Sequence, residues 1–121
     1  MVIMKRKIAL EKPNIGEWLA VIGEYGPKKK NAKLWKDVYR LASKPRRQRV
    51  IINLIRLNRI AEEGDSVVIP GKILGVGRVE HKFSVAAIEY SSSAAEKLSK
   101  AGCKMEGIKS MLEKDGVKLV I

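Results

Sequence analysis

The stretch Val67-Val68-Ile69-Pro70-Gly71-Lys72-Ile73-Leu74-Gly75-Val76-Gly77, followed shortly by Val85-Ala86-Ala87-Ile88-Glu89-Tyr90-Ser91-Ser92-Ser93-Ala94, decides the fold of this chain. Residues 67–69 and 85–88 are uninterrupted apolar runs of strand length. Runs without polar alternation are expected of strands buried on both faces. Pro70 should end the first strand, because it has no N–H to give to a ladder. Gly71, Gly75 and Gly77 provide turns or close backbone approach. Ser93-Ala94-Ala95-Glu96 has the capping-box pattern, in which the Ser93 hydroxyl and the Glu96 carboxylate each take a free backbone N–H. The helix it opens carries Ala94, Leu98 and Ala101 on one face and stops at Gly102.

Downstream, residues 103–105 fit a short strand. Ile108, Met111 and Leu112 mark a short amphipathic helix that stops at Asp115-Gly116, and residues 117–121 fit a terminal strand. Upstream lies the apolar run Val50-Ile51-Ile52, then a short helix over 53–61 and a turn at Glu62-Glu63-Gly64-Asp65. From residue 50 the order is therefore strand, short helix, strand, strand, helix, strand, helix, strand. Two helices precede it. The first is capped by Asn14, puts Ile15, Leu19 and Ile22 on one face, and ends at Gly26-Pro27. The second is capped by Asn31 and carries Leu34, Val38 and Leu41, with Trp35 and Ala42 beside them. At this spacing the tryptophans belong to the core rather than to a base-stacking surface. Residues 1–13 form a basic arm and residues 14–121 one domain, with a basic helical part at 14–60 and a neutral α/β part at 61–121.

Hydrophobic residues make up 45% and charged residues 31% of the 121, a globular composition. The longest apolar run, residues 18–22, is far short of the roughly 20 residues that span a bilayer. Lys5, Arg6 and Lys7 are not followed by an apolar h-region, so no secretory signal is expected. The lone Cys103 cannot form an intramolecular disulfide and fits a reducing cytoplasm. The net charge of +12 is unevenly spread. Residues 1–60 hold 16 Lys+Arg and 4 Asp+Glu, whereas residues 61–121 hold 9 of each. Such asymmetry points to a polyanion engaged by the first half. An anionic membrane would call for a basic amphipathic helix with a broad apolar face, so no membrane partner is expected.

Nothing in the chain assembles a catalytic pattern. Gly71, Gly75 and Gly77 lack the Gly-Lys-Ser/Thr of a phosphate loop and the G-x-G-x-x-G of a dinucleotide fold, so no nucleotide cofactor or small-molecule substrate is expected. His81 is the only histidine and has no second His or Cys at ligand spacing, so no metal is expected. Cys103 sits in an apolar context and reads as a buried small hydrophobe. The basic block Lys44-Pro45-Arg46-Arg47-Gln48-Arg49 is different. Arginine forks suit phosphate, and the apolar run after the block should anchor it. Its bland alternative is a solvated surface, or pairing with Glu62 and Glu63. Aromatic residues are only 5%, which favours shape and phosphate recognition of folded RNA over base stacking. The residues expected to face RNA are Lys28, Lys29, Lys30, Lys33, Lys44, Arg46, Arg47, Arg49, Arg56, Arg59, Lys72 and Arg78.

Lys44-Pro45-Arg46-Arg47, Asn53-Leu54, residues 68–77 and Val85-Ala86-Ala87-Ile88-Glu89-Tyr90-Ser91 occur in that order. This set resembles the archaeal and eukaryotic large-subunit ribosomal protein family called eighteen-e, a relative of bacterial large-subunit protein fifteen. The similarity runs from about residue 14 onward, and Trp35 matches the tryptophan of the family's second helix. Ile51, Ile55 and Ile60 depart from it, standing where an acidic, a small and an aromatic residue are common. Tyr90 replaces the commoner phenylalanine. The resemblance implies an α/β fold built as an irregular superhelix of β-β-α turns preceded by helical segments. It implies a non-enzymatic, cytoplasmic constituent of the large ribosomal subunit, partnered by ribosomal RNA and neighbouring ribosomal proteins. A free-standing RNA- or DNA-binding regulator would share the charge asymmetry, but it should bind one isolated nucleic-acid site tightly.

Overall fold

A computed structural model of the protein describes residues 15–114 and 116–121. The expected arm, the Asn14 cap and Asp115 lie outside the described residues. The chain folds as helix α1 (Ile15–Tyr25), helix α2 (Ala32–Ala42), strand β1 (Val50–Asn53), helix α3 (Leu54–Ile60), strand β2 (Ser66–Leu74) and strand β3 (Ser84–Tyr90). Helix α4 (Ser92–Lys100), strand β4 (Lys104–Met105), helix α5 (Ile108–Leu112) and strand β5 (Lys118–Leu119) complete it. This is the expected element order. The apolar run at 50–52 is a strand that passes directly into α3.

All pairings in the five-stranded sheet are parallel, in the order β1-β2-β3-β4, with β5 pairing the first half of β2 on the edge whose second half holds β1. Parallel neighbours force the chain back to its starting end after every strand, which winds it through successive turns. Helices cover both faces, as the unbroken apolar runs require. On one face Val67, Ile69, Ile73, Val85 and Ala87 pack with Leu54 and Leu57 of α3 and Ala94 and Leu98 of α4. On the other, Val68, Ala86 and Ile88 meet Trp18 and Ile22 of α1, Trp35 and Val38 of α2, and Ile108 and Met111 of α5. Both tryptophans are core residues, and the Trp35 indole N–H donates to Asn31 Oδ1 at 3.0 Å. Asn31 thus serves the indole; its side chain makes no cap hydrogen bond to α2.

Two further local expectations need correction. Pro70 lies inside β2, at the register shift between Ile69 and Lys72, where a missing N–H costs no regular ladder bond. The cap of α4 is Ser91, whose Oγ accepts from the Ala94 N–H at 3.1 Å. Ser93 is already inside the helix, and Glu96 pairs with Lys100 one turn on, at 2.8 Å. At Gly71 a Cβ would overlap the Val50 carbonyl, so this glycine permits β1 to approach β2. The Tyr90 hydroxyl is satisfied by main chain: it accepts from the Ala87 N–H at 3.1 Å and donates to the Val85 carbonyl at 3.4 Å.

Candidate nucleic-acid interface

The basic block after α2 is a fastened loop. Arg46–Gln48 form one 3-10 turn, closed by the Gln48 N–H on the Pro45 carbonyl at 2.8 Å. The last turn of an α-helix leaves carbonyls without partners. Arg49 Nε donates to the Ala42 carbonyl at 3.2 Å and to the Lys44 carbonyl at 3.1 Å, tying the loop to that end of α2. At the far end Val50 enters the sheet opposite Gly71. In the middle the Arg46 guanidinium grips Glu89 of β3 with both arms, Nε to Oε2 at 3.1 Å and Nη2 to Oε1 at 2.6 Å. The Glu89 side chain is 8% exposed and that of Arg46 65%. The hydrogen bond to Glu89, then its charge, pushes the Arg46 pKa further up.

The four basic residues of the block therefore have unequal roles. Arg46 and Arg49 hold the loop. Lys44 and Arg47 are exposed, and their side chains make no hydrogen bond or ion pair with described residues. Glu62 and Glu63 do not pair with the arginines: Glu63 accepts from the Lys82 N–H at 2.9 Å, and the Glu62 N–H donates to Asp65. Lys72 lies opposite Ile51 in the β1–β2 register, one residue from where the loop joins the sheet.

A second group forms where α3 meets the loop after β2. Ile55 N–H donates to the Val76 carbonyl at 3.0 Å. Asn58 exchanges two hydrogen bonds with Glu80, at 2.9 and 2.8 Å. Gly77, at φ +112, would press a Cβ into Ile55. Lys97 of α4 closes the turn, its Nζ donating to the Gly75 carbonyl at 2.7 Å and the Gly77 carbonyl at 3.1 Å. These contacts join Arg56 and Arg59 to the loop that carries Arg78. Arg56 Nη2 donates to the Ile121 carbonyl at 2.7 Å, while the side chains of Arg59 and Arg78 stay exposed without a partner among the described residues.

Lys28, Lys29, Lys30 and Lys33 form a third group, at the turn between α1 and α2. The eleven residues of α2, about 16 Å at 1.5 Å per residue, separate it from the block at the other end of the helix. The twelve expected residues thus fall into three basic regions rather than one patch. Two residues that position them went unnoticed in the sequence: Glu89 and Lys97. Glu89 could have been suspected as a lone acid at the end of a buried apolar run; nothing local distinguishes Lys97.

The one cysteine of the chain is placed unproductively. Cys103 is buried, its Sγ donates to the His81 carbonyl at 3.2 Å, and burial pushes the thiol pKa up, away from the reactive thiolate. Among the described residues no group of three or more His, Cys, Asp or Glu could hold a metal ion. No described helix is long and apolar enough to cross a membrane.

Residues 32–106 match the family of ribosomal proteins that joins 50S-L15 and 50S-L18e with their 60S relative. The large ribosomal subunit protein eL18 of Pyrobaculum aerophilum is 44% identical over 95 residues, covering 75% of this chain and 78% of its own. That of Methanothermobacter thermautotrophicus is 34% identical over 99 residues, covering 82% and 81%. The protein of the same name from Sulfurisphaera tokodaii is 41% identical over 85 residues, covering 70% and 72%. With the matched span running from α2 through β4, over the basic block and the β2–β3 centre of the sheet, the chain belongs to the eL18 family of ribosomal proteins and is not an enzyme.

Proposed function

We propose that this protein is a structural constituent of the large ribosomal subunit in the cytoplasm, and that it binds large-subunit ribosomal RNA through basic loops fastened to the sheet. The observation that carries the second part is the Arg46–Glu89 grip, which holds Lys44 and Arg47 outward on a loop secured at both ends. Side chains presented from a held loop lose less freedom on docking than those of a loose tail. The surface they offer is cationic and unpaired, the form in which Lys and Arg displace the counterions condensed on packed phosphates. Lys28, Lys29, Lys30, Lys33, Lys72, Arg59 and Arg78 extend the contact on either side. Arg46, Arg49 and Arg56 contribute charge, with their hydrogen-bonding directed chiefly at the protein. Neighbouring ribosomal proteins share the remaining surface.

Sedimentation with the large subunit through a high-salt wash tests the first part. Retention is expected, whereas a free regulator would be released. For the second part, Lys44→Ala with Arg47→Ala should flatten the salt dependence of RNA binding by about two phosphate contacts. Arg47→Lys should restore charge but lose the planar fork, and so recover only part of the affinity. An unchanged salt slope in the alanine pair would sink the loop as a contact.

A further inference from the structure

Between α1 and α2 lies an open groove of about 720 Å³, lined by Ile22, Gly23, Pro27, Ala32, Trp35 and Tyr39 and flanked by Lys33 and Lys36. Its floor is apolar for a structural reason. Ile22, Ala32 and the buried Trp35 supply it, and Gly23 leaves the space beside Tyr39 open, since a Cβ there would meet Tyr39 Cε2 only at an ordinary 3.5 Å. Trp35 is buried, whereas Tyr39 lines the groove and is 41% exposed. No acidic side chain lines the groove. Lys33 and Lys36 are exposed, their side chains without hydrogen-bond or ion-pair partners among the described residues, and Lys28 and Lys30 follow closely after Pro27.

We infer that this groove receives a single unstacked nucleobase of the RNA, its ring on Tyr39 and its phosphates against Lys33 and Lys36. Resting on the RNA-binding reading above, the inference adds to it a mode of contact that the low aromatic content argued against. The occupant must combine a flat apolar body with negative charge, and a nucleotide does. A protein segment as basic as this chain would be repelled by the lysines at the rim. Stacking of a base on an aromatic ring is tolerant of sequence, and together with phosphate contact it is the usual way to hold a base out of a helix.

The test uses the full chain with an in vitro transcript of archaeal large-subunit ribosomal RNA. Gly23→Leu fills the groove at a helix-interior position, where leaving glycine should hold or raise the melting temperature. Tyr39→Leu removes the ring and keeps an apolar side chain. Each should weaken binding about tenfold without changing the salt slope, because the phosphate contacts remain. Irradiation at 254 nm should attach a nucleotide to Tyr39 in the wild-type protein. Wild-type affinity in both variants, with no adduct on Tyr39, would overturn the groove as a base site and leave salt-dependent RNA binding standing. Variants that bind the transcript normally but are lost from assembled subunits would overturn it in favour of a protein occupant. A wild-type chain with no salt-dependent binding at all would overturn the RNA-binding reading and this inference with it.

Discussion

Ser91→Ala should remove about 0.5–2 kcal/mol of stability, because the Ala94 N–H loses its cap. Ser93→Ala, within α4 and without a main-chain partner, should change stability by less than about 0.5 kcal/mol. Denaturant titrations of the two variants separate them, and equal losses would show that both serines cap. Residue 46 makes a sharper contrast with its neighbour. Removing the Arg46 guanidinium leaves a buried carboxylate with no partner, so Arg46→Ala should lower the melting temperature of the free protein. Arg47→Ala should not. Two adjacent arginines, indistinguishable by type and position, are thus divided between holding the loop and presenting charge. Only contact with Glu89, 43 residues away, reveals which is which.

Among elements, the connection between β4 and β5 depends on one carboxylate. Glu106 lies between β4 and α5 and accepts from Lys114 Nζ at 2.5 Å and from the Ser110 hydroxyl at 2.7 Å. The Lys114 ammonium first, then the Ser110 hydroxyl, hold its pKa down at about 2. An unfolded glutamate titrates near 4.3, so the folded carboxylate is the weaker base. The stabilisation is therefore complete above about pH 4.3 and disappears as the pH falls toward 2. Unscreened, the difference would be worth about 3 kcal/mol, and solvent around the partly exposed Lys114 reduces it to on the order of 2 kcal/mol. Denaturation midpoints between pH 6 and pH 2 should fall less steeply in Glu106→Gln than in the wild type; parallel curves would refute this. The β1–β2 pairing has a different weak point. Gly71→Ala drives a methyl into the Val50 carbonyl and should cost about 2–3 kcal/mol or more, measured by the same titrations.

Across the whole molecule the charge asymmetry is matched by a difference in pairing. Among the described residues up to 60, unpaired cations sit on the turn between α1 and α2, on α2, on the block and on α3, whereas several lysines of the second half are engaged. Lys97 is bound to carbonyls, and Lys100, Lys114 and Lys118 are bound to carboxylates. Lys28→Ala, Lys29→Ala and Lys30→Ala together should flatten the salt dependence of ribosomal RNA binding by as many as about three contacts. Lys104→Ala with Lys109→Ala should flatten it less. Equal changes per lysine, measured across one salt series, would show that binding follows total charge and has no preferred face.

Much of this architecture was legible locally. Apolar runs at 50–52, 67–69 and 85–88, the 3.6-residue spacing of Trp18, Ile22, Trp35 and Val38, and the glycine breaks set the element order, because periodicity and turn chemistry act over a few residues. The expectation of a polyanion partner rested on charge, which sums along the chain whatever the fold. The pairing of Arg46 with Glu89, the service of Lys97 to a glycine turn, and the groove under Tyr39 were decided only in three dimensions. Each depends on groups brought together by the parallel sheet or by helix packing. Even the cap of α4 was settled this way: Ser91 and Ser93 both suit the role chemically, but the hydrogen bond of the Ser91 N–H to the Ile73 carbonyl holds Ser91 at the end of β3, so the helix can begin only after it.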